Sequence, residues 1–587
     1  RSGAGLDACA ALAAQMNPQP GDSASITVLL GHGGDADAAQ ALLAEAWGVA
    51  PTARLQAQRA LWPALLGGIQ VRTPDPRFDA LMNHWLPYQT LACRMWGRAG
   101  FYQAGGAFGY RDQLQDAMAL ANTAPQLLAE QLRRNAARQF PEGDVQHWWH
   151  EPGGAGVRTH FSDDRLWLPY ALAHYAQRTG DLALLDEQQP FLVGRQVPPG
   201  AEDIYESPGV TEQTASLYEH GARAIDRSLD TGAHGLPLFG TGDWNDGMNR
   251  VGHEGRGESV WLAWFICKVI DDYLPLAAAR HDTERVARWQ ASRLAFAQAL
   301  DARAWDGRWY LRGYFDDGTP LGSASRPECS IDLIAQAWAV LTKAGEPQRA
   351  REAMASAASH LLDTSNHVVC LLDPPLQHSQ PYAGYIQSYP PGVRENGGQY
   401  NHGAVWALMA FAQLGQREPM WQVFTALSPA HRWMERRRGT TYAIEPYVMA
   451  GDVYTAPPYI GRGGWSWYTG SAGWLMRAGV ESICGVVLCD GRVTVRPCLP
   501  AHWALAEVNL RHEGQVHRVI VCADRLTMDS VLTEERAALT AQAGEAIDLR
   551  RHPRGSVHVV LAVPGAEAAV TSAAVPAHVQ RELPLTK

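Results

Sequence analysis

The sequence predicts a mainly α protein with β domains: an (α/α)6 barrel followed by a C-terminal antiparallel β-sandwich. Three observations point there. From about residue 81 to 480 one amphipathic stretch follows another, divided by Gly/Pro-rich loops. After about 481 the texture changes to short β-rich runs with period-two alternation. At 587 residues the chain exceeds one ordinary core, so two or three domains, or one large barrel with a smaller partner, are expected.

The elements follow in order. Residues 1–50 carry a short strand, Ser25–Gly31, and an alanine-rich helical stretch ending near Gly48. That is too little for a domain and reads as the tail of something larger, in keeping with a first residue, Arg1, that is not Met. Residues 51–80 continue as a helical linker, ARLQAQRALWPALL, closed by VRTPDP. Helices are expected near 81–97, 112–137, 163–179, 211–228, 257–279, 283–304, 329–344, 347–362, 402–415, 417–427 and 465–480. Long glycine loops between alternate pairs suit a closed ring of helical hairpins spanning 81–480. From 481 to 587 the runs GVVLCDG, RVTVRPCL, AEVNLRH, HRVIVCA and SVHVVLAV suggest the antiparallel sandwich, and the Ala-rich end, 565–587, reads as weakly structured.

Composition narrows the function classes. A net charge of −10 argues against nucleic acid or an anionic membrane surface as partner. Nine scattered cysteines, none in a C-x-x-C pair, favour reduced thiols in a cytoplasmic setting. No uncharged apolar run reaches the length of a membrane span; the best candidate, WLAWFICKVIDDYLPLAAA, carries Lys268, Asp271 and Asp272. Tryptophan (21) outnumbers tyrosine (19) and phenylalanine (12); many indoles will be core, yet such an excess is what a long saccharide groove would need.

Four loop segments hold the unusual polar residues. GTGDWNDGMNRVG, from Gly240 to Gly252, sets Asp243, Trp244 and Asp246 among glycines that permit sharp turns. A ring to cover a pyranose, an amide for hydroxyls and an acid for the glycosidic oxygen suit sugar chemistry, although Asp, Asn and Gly also make plain surface turns. The segment from Arg98 to Asp116 carries Gly105, Gly106 and Gly109, then Arg111-Asp112 opening a helix, where Asp112 alone would read as an N-cap. In the segment from Gly143 to Asp164, His147 and His150 lack further ligands at metal spacing, so no metal is expected; Ser162, Asp163 and Asp164 read as helix caps. The last constellation comes in two pieces, Pro390–Trp406 and Gly461–Trp474, in which Arg394, His402, the Thr469 hydroxyl and the Gly470 N–H together suit an oxyanion.

Asp112 in YRDQLQD, the GDWNDGMN loop, ENGG…H and WYTGSAGW occur in the order found in the cellobiose phosphorylase family of inverting glycoside phosphorylases (glycoside hydrolase family ninety-four), and the chain resembles it over nearly its whole length. LPYQTLACRMW, YQAGGAFGYRDQLQD, GDVQHWWH and GTGDWNDGMNRVGHEGRGESVWL are most similar to one branch: the C-terminal phosphorylase-like region of cyclic β-1,2-glucan synthases and the 1,2-β-oligoglucan phosphorylases. The resemblance implies the end of an N-terminal β-sandwich in residues 1–50, the linker, the barrel and a C-terminal jelly roll. It implies Asp246 as general acid and Trp244 lining the sugar subsite. Arg98 and Asp112 would hold the non-reducing-end glucose, and Arg394 and Glu395 would lie near the acceptor sugar. His402, Thr469 and Gly470 would grip phosphate. The chain departs from cellobiose-type members at Gly105-Gly106-Ala107-Phe108, where those carry an additional arginine, a difference that bears on phosphate binding and specificity.

An inverting hydrolase needs a base across the sugar from its acid, whereas phosphate is its own nucleophile. Asp243 is too near Asp246 in sequence to sit easily as that base, so phosphorolysis is favoured. The expected reaction is reversible phosphorolysis of β-1,2-glucooligosaccharides to α-glucose 1-phosphate, with no cofactor and inorganic phosphate as co-substrate. A phosphorylase for another β-linked disaccharide, an inverting glucan hydrolase, and a glucan-binding or chain-length-control module of a larger membrane-bound synthase stay open.

Overall fold

The computed structural model describes residues 5, 11–97, 105–198, 200–552 and 554–562. Arg98 and the 565–587 tail fall outside them. The chain divides into two compact units, Arg1–Leu65 and Leu66–Lys587.

In the first unit, α1 (Ala36–Trp47) starts at Asp35, whose carboxylate accepts the Ala38 N–H at 2.8 Å. It stops at Gly48, as expected, and α2 (Pro51–Leu66) follows through the linker sequence. Neither helix buries a residue. The strand expected at Ser25–Gly31 does not form, because no described segment pairs with it and a lone strand leaves its backbone groups unpaired.

In the second unit, α3 (Pro76–Ala80) and α4 (Leu86–Gln89) are continued by π-helical turns, Leu81–Trp85 and Thr90–Trp96. Next come α5 (Tyr110–Met118), α6 (Pro125–Ala136), α7 (Trp167–Thr179), α8 (Leu217–Asp226) and α9 (Val260–Ala279). They are followed by α10 (Thr283–Arg303), α11 (Leu333–Thr342), α12 (Pro347–Leu361), α13 (Asn401–Gln413) and α14 (Arg417–Leu427). The helical series closes with α15 (Pro429–Arg432), α16 (Arg436–Tyr442) and α17 (Ser471–Arg477). Neighbour relations run in a cycle: α5 packs on α7, α7 on α9, α9 on α11, α11 on α13, α13 on α17, and α17 on α5. Six further helices flank them, α6 on α5, α8 on α7, α10 on α9, α12 on α11, α14 on α13 and α4 on α17.

Local chemistry explains the helix boundaries. Pro125 at the first turn of α6 splits the single helix expected over 112–137. Ser216 accepts the Glu219 N–H at 3.1 Å and starts α8 there; the preceding Gly209–Ser216 is a strand against Gln188–Val193, so the helix expected from 211 begins later. Asp282, Asp332 and Glu346 cap α10, α11 and α12 with their carboxylates. Trp261, Trp338 and Trp406, one each from α9, α11 and α13, meet ring to ring in the core. Trp149, Trp167, Trp264, Trp289 and Trp503 are also fully buried, so much of the tryptophan excess serves packing.

A small antiparallel sheet, β2 (Phe108–Gly109), β3 (Gln146–Trp149), β4 (Gly156–Thr159) and β5 (Asp203–Glu206), borders the start of α5. The C-terminal region holds two sheets. β6 (Val486–Cys489), β7 (Arg492–Val495) and β11 (Ala546–Asp548) are antiparallel. The larger sheet runs in the order β1 (Ile69–Arg72), β8 (Leu505–His512), β9 (Gln515–Cys522), β12 (Ser556–Leu561) and β10 (Leu539–Gln542). Its β9–β12 and β10–β12 pairs are parallel, which corrects the purely antiparallel expectation; α18 (Arg525–Glu534), unforeseen in the sequence, supplies the crossover. β1, expected to be helical linker, is instead the edge strand on β8. Each described cysteine is a free thiol, and among the described residues no helix is long and apolar enough to cross a membrane.

Candidate functional site

The loop at 240–252 is built by its glycines and by Asp243. Gly240 has φ +67°, and a Cβ there would collide with the His160 carbonyl oxygen. Asp243 is fully buried. Arg312 donates to both its oxygens at 2.6 Å, the Ser259 hydroxyl donates at 2.7 Å, and the Asn245 N–H at 3.0 Å. All its acceptor capacity is spent on scaffold. Asp246, three positions on, is one-third exposed at its side chain and points elsewhere in chemistry: Oδ1 takes a 2.5 Å hydrogen bond from Arg111 Nη2, and Oδ2 lies 3.9 Å from His147 Nε2.

Arg111, in the first turn of α5, ties the site together. It also donates to Asp163 at 3.0 and 3.2 Å and to the Asp243 carbonyl at 3.0 Å. Ser162 donates to the Phe239 and Gly242 carbonyls, and Asp164 Oδ2 sits 2.8 Å from His147 Nδ1. The expectation that Ser162, Asp163 and Asp164 cap a helix is therefore corrected: no side chain caps the short turn there, and all three brace the loop and its charges. Burial alone would neutralise His147, but Asp164 and then Asp246 outweigh it and raise the imidazole to about 9.

Asp112 is half-exposed, 4.0 Å from Arg94, and does not cap α5. Its surroundings disfavour charge, yet Arg94, Arg111 and His147 hold its carboxyl below the ordinary value. Arg94 in turn donates to buried Asp116 at 2.7 Å. Trp244 is 6% exposed and rests on the tryptophan core, 5.1 Å from Trp406, with its edge to Tyr400 and His402. It is a wall of the site more than an open platform. Arg394 adopts φ +52°, lies over the Tyr389 ring and reaches Glu395 at 3.3 Å; its own N–H donates to Asp452 at 2.8 Å. Burial lifts the Glu395 carboxyl above its usual range against the pull of Arg394, and Asp246 adds to the lift. Burial and then Asp246 likewise push the Tyr385 hydroxyl up. Sequence reading passed over Tyr385, Arg94, Arg111 and His147 as site residues.

His402, near the start of α13, has a buried Nε2 with no hydrogen-bond partner. Burial pushes its pKa down to about 3, so the ring is neutral. Gly470 precedes α17, and a Cβ there would lie 3.4 Å from Asp116 Oδ1 and 3.9 Å from His402 Nδ1. The Thr469 hydroxyl is 2.9 Å from Ser471 Oγ. His402 and Gly470 thus lie side by side, with Thr469 adjacent to Gly470 in the chain. Among the described residues no group of three or more His, Cys, Asp and Glu is arranged to hold a metal ion.

A family model for the glycosyl hydrolase 94 superfamily, catalytic domain, matches residues 61–485, and the chain belongs to that family. It is 45% identical to a cyclic β-(1,2)-glucan synthase, NdvB, of Rhizobium meliloti, over 92% of this chain and 19% of that protein. It is 30% identical to a solabiose phosphorylase of Paenibacillus borealis, over 80% of this chain and 57% of that one. A 1,2-β-oligoglucan phosphorylase of Listeria innocua is 21% identical over 72% of this chain and 40% of its own length. The chain thus spans a fifth to just over half of these relatives. Among solved structures, a family 78 rhamnosidase of Bacillus shares the fold at a TM-score of 0.51 and 14% identity, over 84% of this chain and 43% of that one.

Proposed function

We propose that the chain is an inverting glycoside phosphorylase that cleaves β-1,2-glucooligosaccharides with phosphate, reversibly, to α-glucose 1-phosphate. The observation that carries it is the division of labour between two aspartates. Asp243 is consumed by Arg312 and Ser259 and is unable to serve as a base across a sugar, while Asp246 keeps an exposed carboxyl. Asp246 protonates the glycosidic oxygen during cleavage and takes the acceptor proton during synthesis. Phosphate attacks the anomeric carbon from the His402, Thr469 and Gly470 side, where an unpartnered ring nitrogen awaits a polar ligand. Arg98 and Asp112 serve the donor glucose, and Arg394 and Glu395 the acceptor. The β-1,2 linkage rests on the names of the synthase and oligoglucan relatives.

In this reading the cycle of six helices with six flanking partners is an (α/α)6 barrel over about 81–480, with a β-sandwich after it. The chain works as the cytoplasmic part of a longer, membrane-bound synthase.

The test is glucose 1-phosphate release from linear β-1,2-glucooligosaccharides with and without added phosphate. Strictly phosphate-dependent release is expected; reducing sugar formed without phosphate would overturn phosphorolysis in favour of a hydrolase.

A further inference from the structure

His147 occupies an unusual position on its strand. Between Gln146 and Trp148 the pairing of β3 with β4 slips: Gln146 faces Arg158 and Trp148 faces Val157, leaving His147 unpaired at an irregularity. Such a bulge re-aims a side chain out of the ladder. Here the ring is directed between two carboxylates. Its Nδ1 is 2.8 Å from Asp164 Oδ2, and its Nε2 is 3.9 Å from Asp246 Oδ2. The Phe161 ring meets it edge to face at 4.6 Å and fixes its plane.

The two contacts of Asp246 differ in kind. Arg111 on Oδ1 is a permanent cation and has no proton to give. Among the described residues, His147 on Oδ2 is the neighbour in ion-pair reach that both holds a proton at neutral pH and can release it. Asp164 secures the Nδ1 proton, so Nε2 is the nitrogen presented to Asp246. Asp163, Asp164 and Asp246 face Arg111 and His147, three acids to two cations, with Asp112 also within electrostatic reach of the imidazole.

We propose that His147 is the positioning residue that supplies the proton of Asp246. The proposal rests on Asp246 being the general acid. In cleavage, the Asp246 O–H proton passes to the glycosidic oxygen as the C–O bond breaks, leaving a carboxylate. The His147 Nε2 proton then moves to Asp246 Oδ2, and the neutral imidazole regains a proton from solvent. In synthesis the same steps run backwards. The proton crosses the 3.9 Å between Nε2 and Oδ2 once the two atoms draw together around bound substrate, as catalytic contacts commonly do.

Two readouts test this, one independent of turnover. Histidine NMR titration of the unaltered protein and of Asp246→Asn is expected to show the His147 titration point falling by about one unit or more when the Asp246 charge is removed; an unchanged titration overturns the coupling. The pH–rate profile is expected to have an alkaline limb set by His147. In His147→Gln, kcat should fall roughly 10- to 100-fold and that limb should move. A lower kcat with an unmoved limb assigns His147 a merely structural role and overturns the proposal. Asp164→Asn, nearly isosteric, is the second variant should His147→Gln fold poorly, and should shift the same limb towards lower pH. An unaltered protein lacking any phosphate-dependent turnover overturns the phosphorylase reading itself, and the NMR arm still reports on the pair.

Discussion

Arg312 grips Asp243 through two parallel hydrogen bonds of 2.6 Å, and neither side chain has any exposed surface. The pair is what holds the 240–252 loop against the helical core, because Arg312 also lies 3.6 Å from Asp332, the cap of α11. Removing one partner strands the other as a buried charge. Arg312→Met is expected to cost about 3–5 kcal/mol, visible as a large drop in Tm and in the denaturant midpoint. A variant that melts with the unaltered protein would show that the loop stands without it.

Asp246→Asn makes the opposite prediction. The side chain is one-third exposed and Asn keeps an oxygen for Arg111, so the fold should survive with only a modest drop in melting temperature from the weakened ion pair, while phosphorolysis falls on the order of a hundredfold or more. Near-normal kcat in this variant would remove Asp246 from the general-acid role.

The contrast between these two aspartates marks how far the sequence could be read. Helix ends have a local grammar, and Gly48 past the last turn of α1 was read from it; Pro125 at a first turn and Ser216 three positions before Glu219 carry the same kind of signal, but the apolar periodicity running through them hid the breaks. The proposed site residues, Asp112, Asp246, Arg394, Glu395, His402, Thr469 and Gly470, drew notice because they lie in or beside glycine-rich segments dense in polar groups. The charge cluster was not. His147 and Asp164 are 17 positions apart, and Arg111 and Asp163 are 52 apart, separations that carry no spacing rule. Asp163 and Asp164 looked like caps since an acid before a helix usually is one; tertiary partners took them instead. The parallel β9–β12 pairing was hidden for a similar reason, since each strand alone shows the same alternation in either direction.

His147 gives a prediction about stability and pH. Burial opposes its charge, but Asp164 and Asp246 raise it from 6.5 to about 9 in the folded protein. The fold therefore binds this proton more tightly than the unfolded chain does. Its stabilising contribution is complete below about pH 6.5 and is lost as pH climbs through about 9. Tm is expected to decline over that window, and to decline less in His147→Gln. Parallel curves for the two proteins would show that the imidazole carries no such linkage.

His402 offers a direct probe of phosphate. Burial keeps it neutral, near 3. A phosphate dianion beside its free Nε2 should favour the charged ring and raise that value by about one unit or more. Titration of the His402 ring signals with and without phosphate checks it; an unshifted ring would place the anion elsewhere.

Gly470 separates steric need from ligand need. Its φ is −68°, which any residue adopts, and an added Cβ would meet Asp116 at 3.4 Å and His402 at 3.9 Å, ordinary contact distances. Nothing in the fold therefore demands glycine, and Gly470→Ala should melt within about 2 °C of the unaltered protein, as sterically compatible surface and loop changes do. The methyl group would nonetheless stand against the His402 ring, 3.9 Å from its Nδ1 and Cε1, on the side from which phosphate is proposed to approach. The expected result is a roughly tenfold or greater rise in the phosphate KM, about the cost of one weakened polar contact, with the glucan KM little changed. A variant that loses affinity for glucan and phosphate alike would instead assign Gly470 to the shape of the whole site.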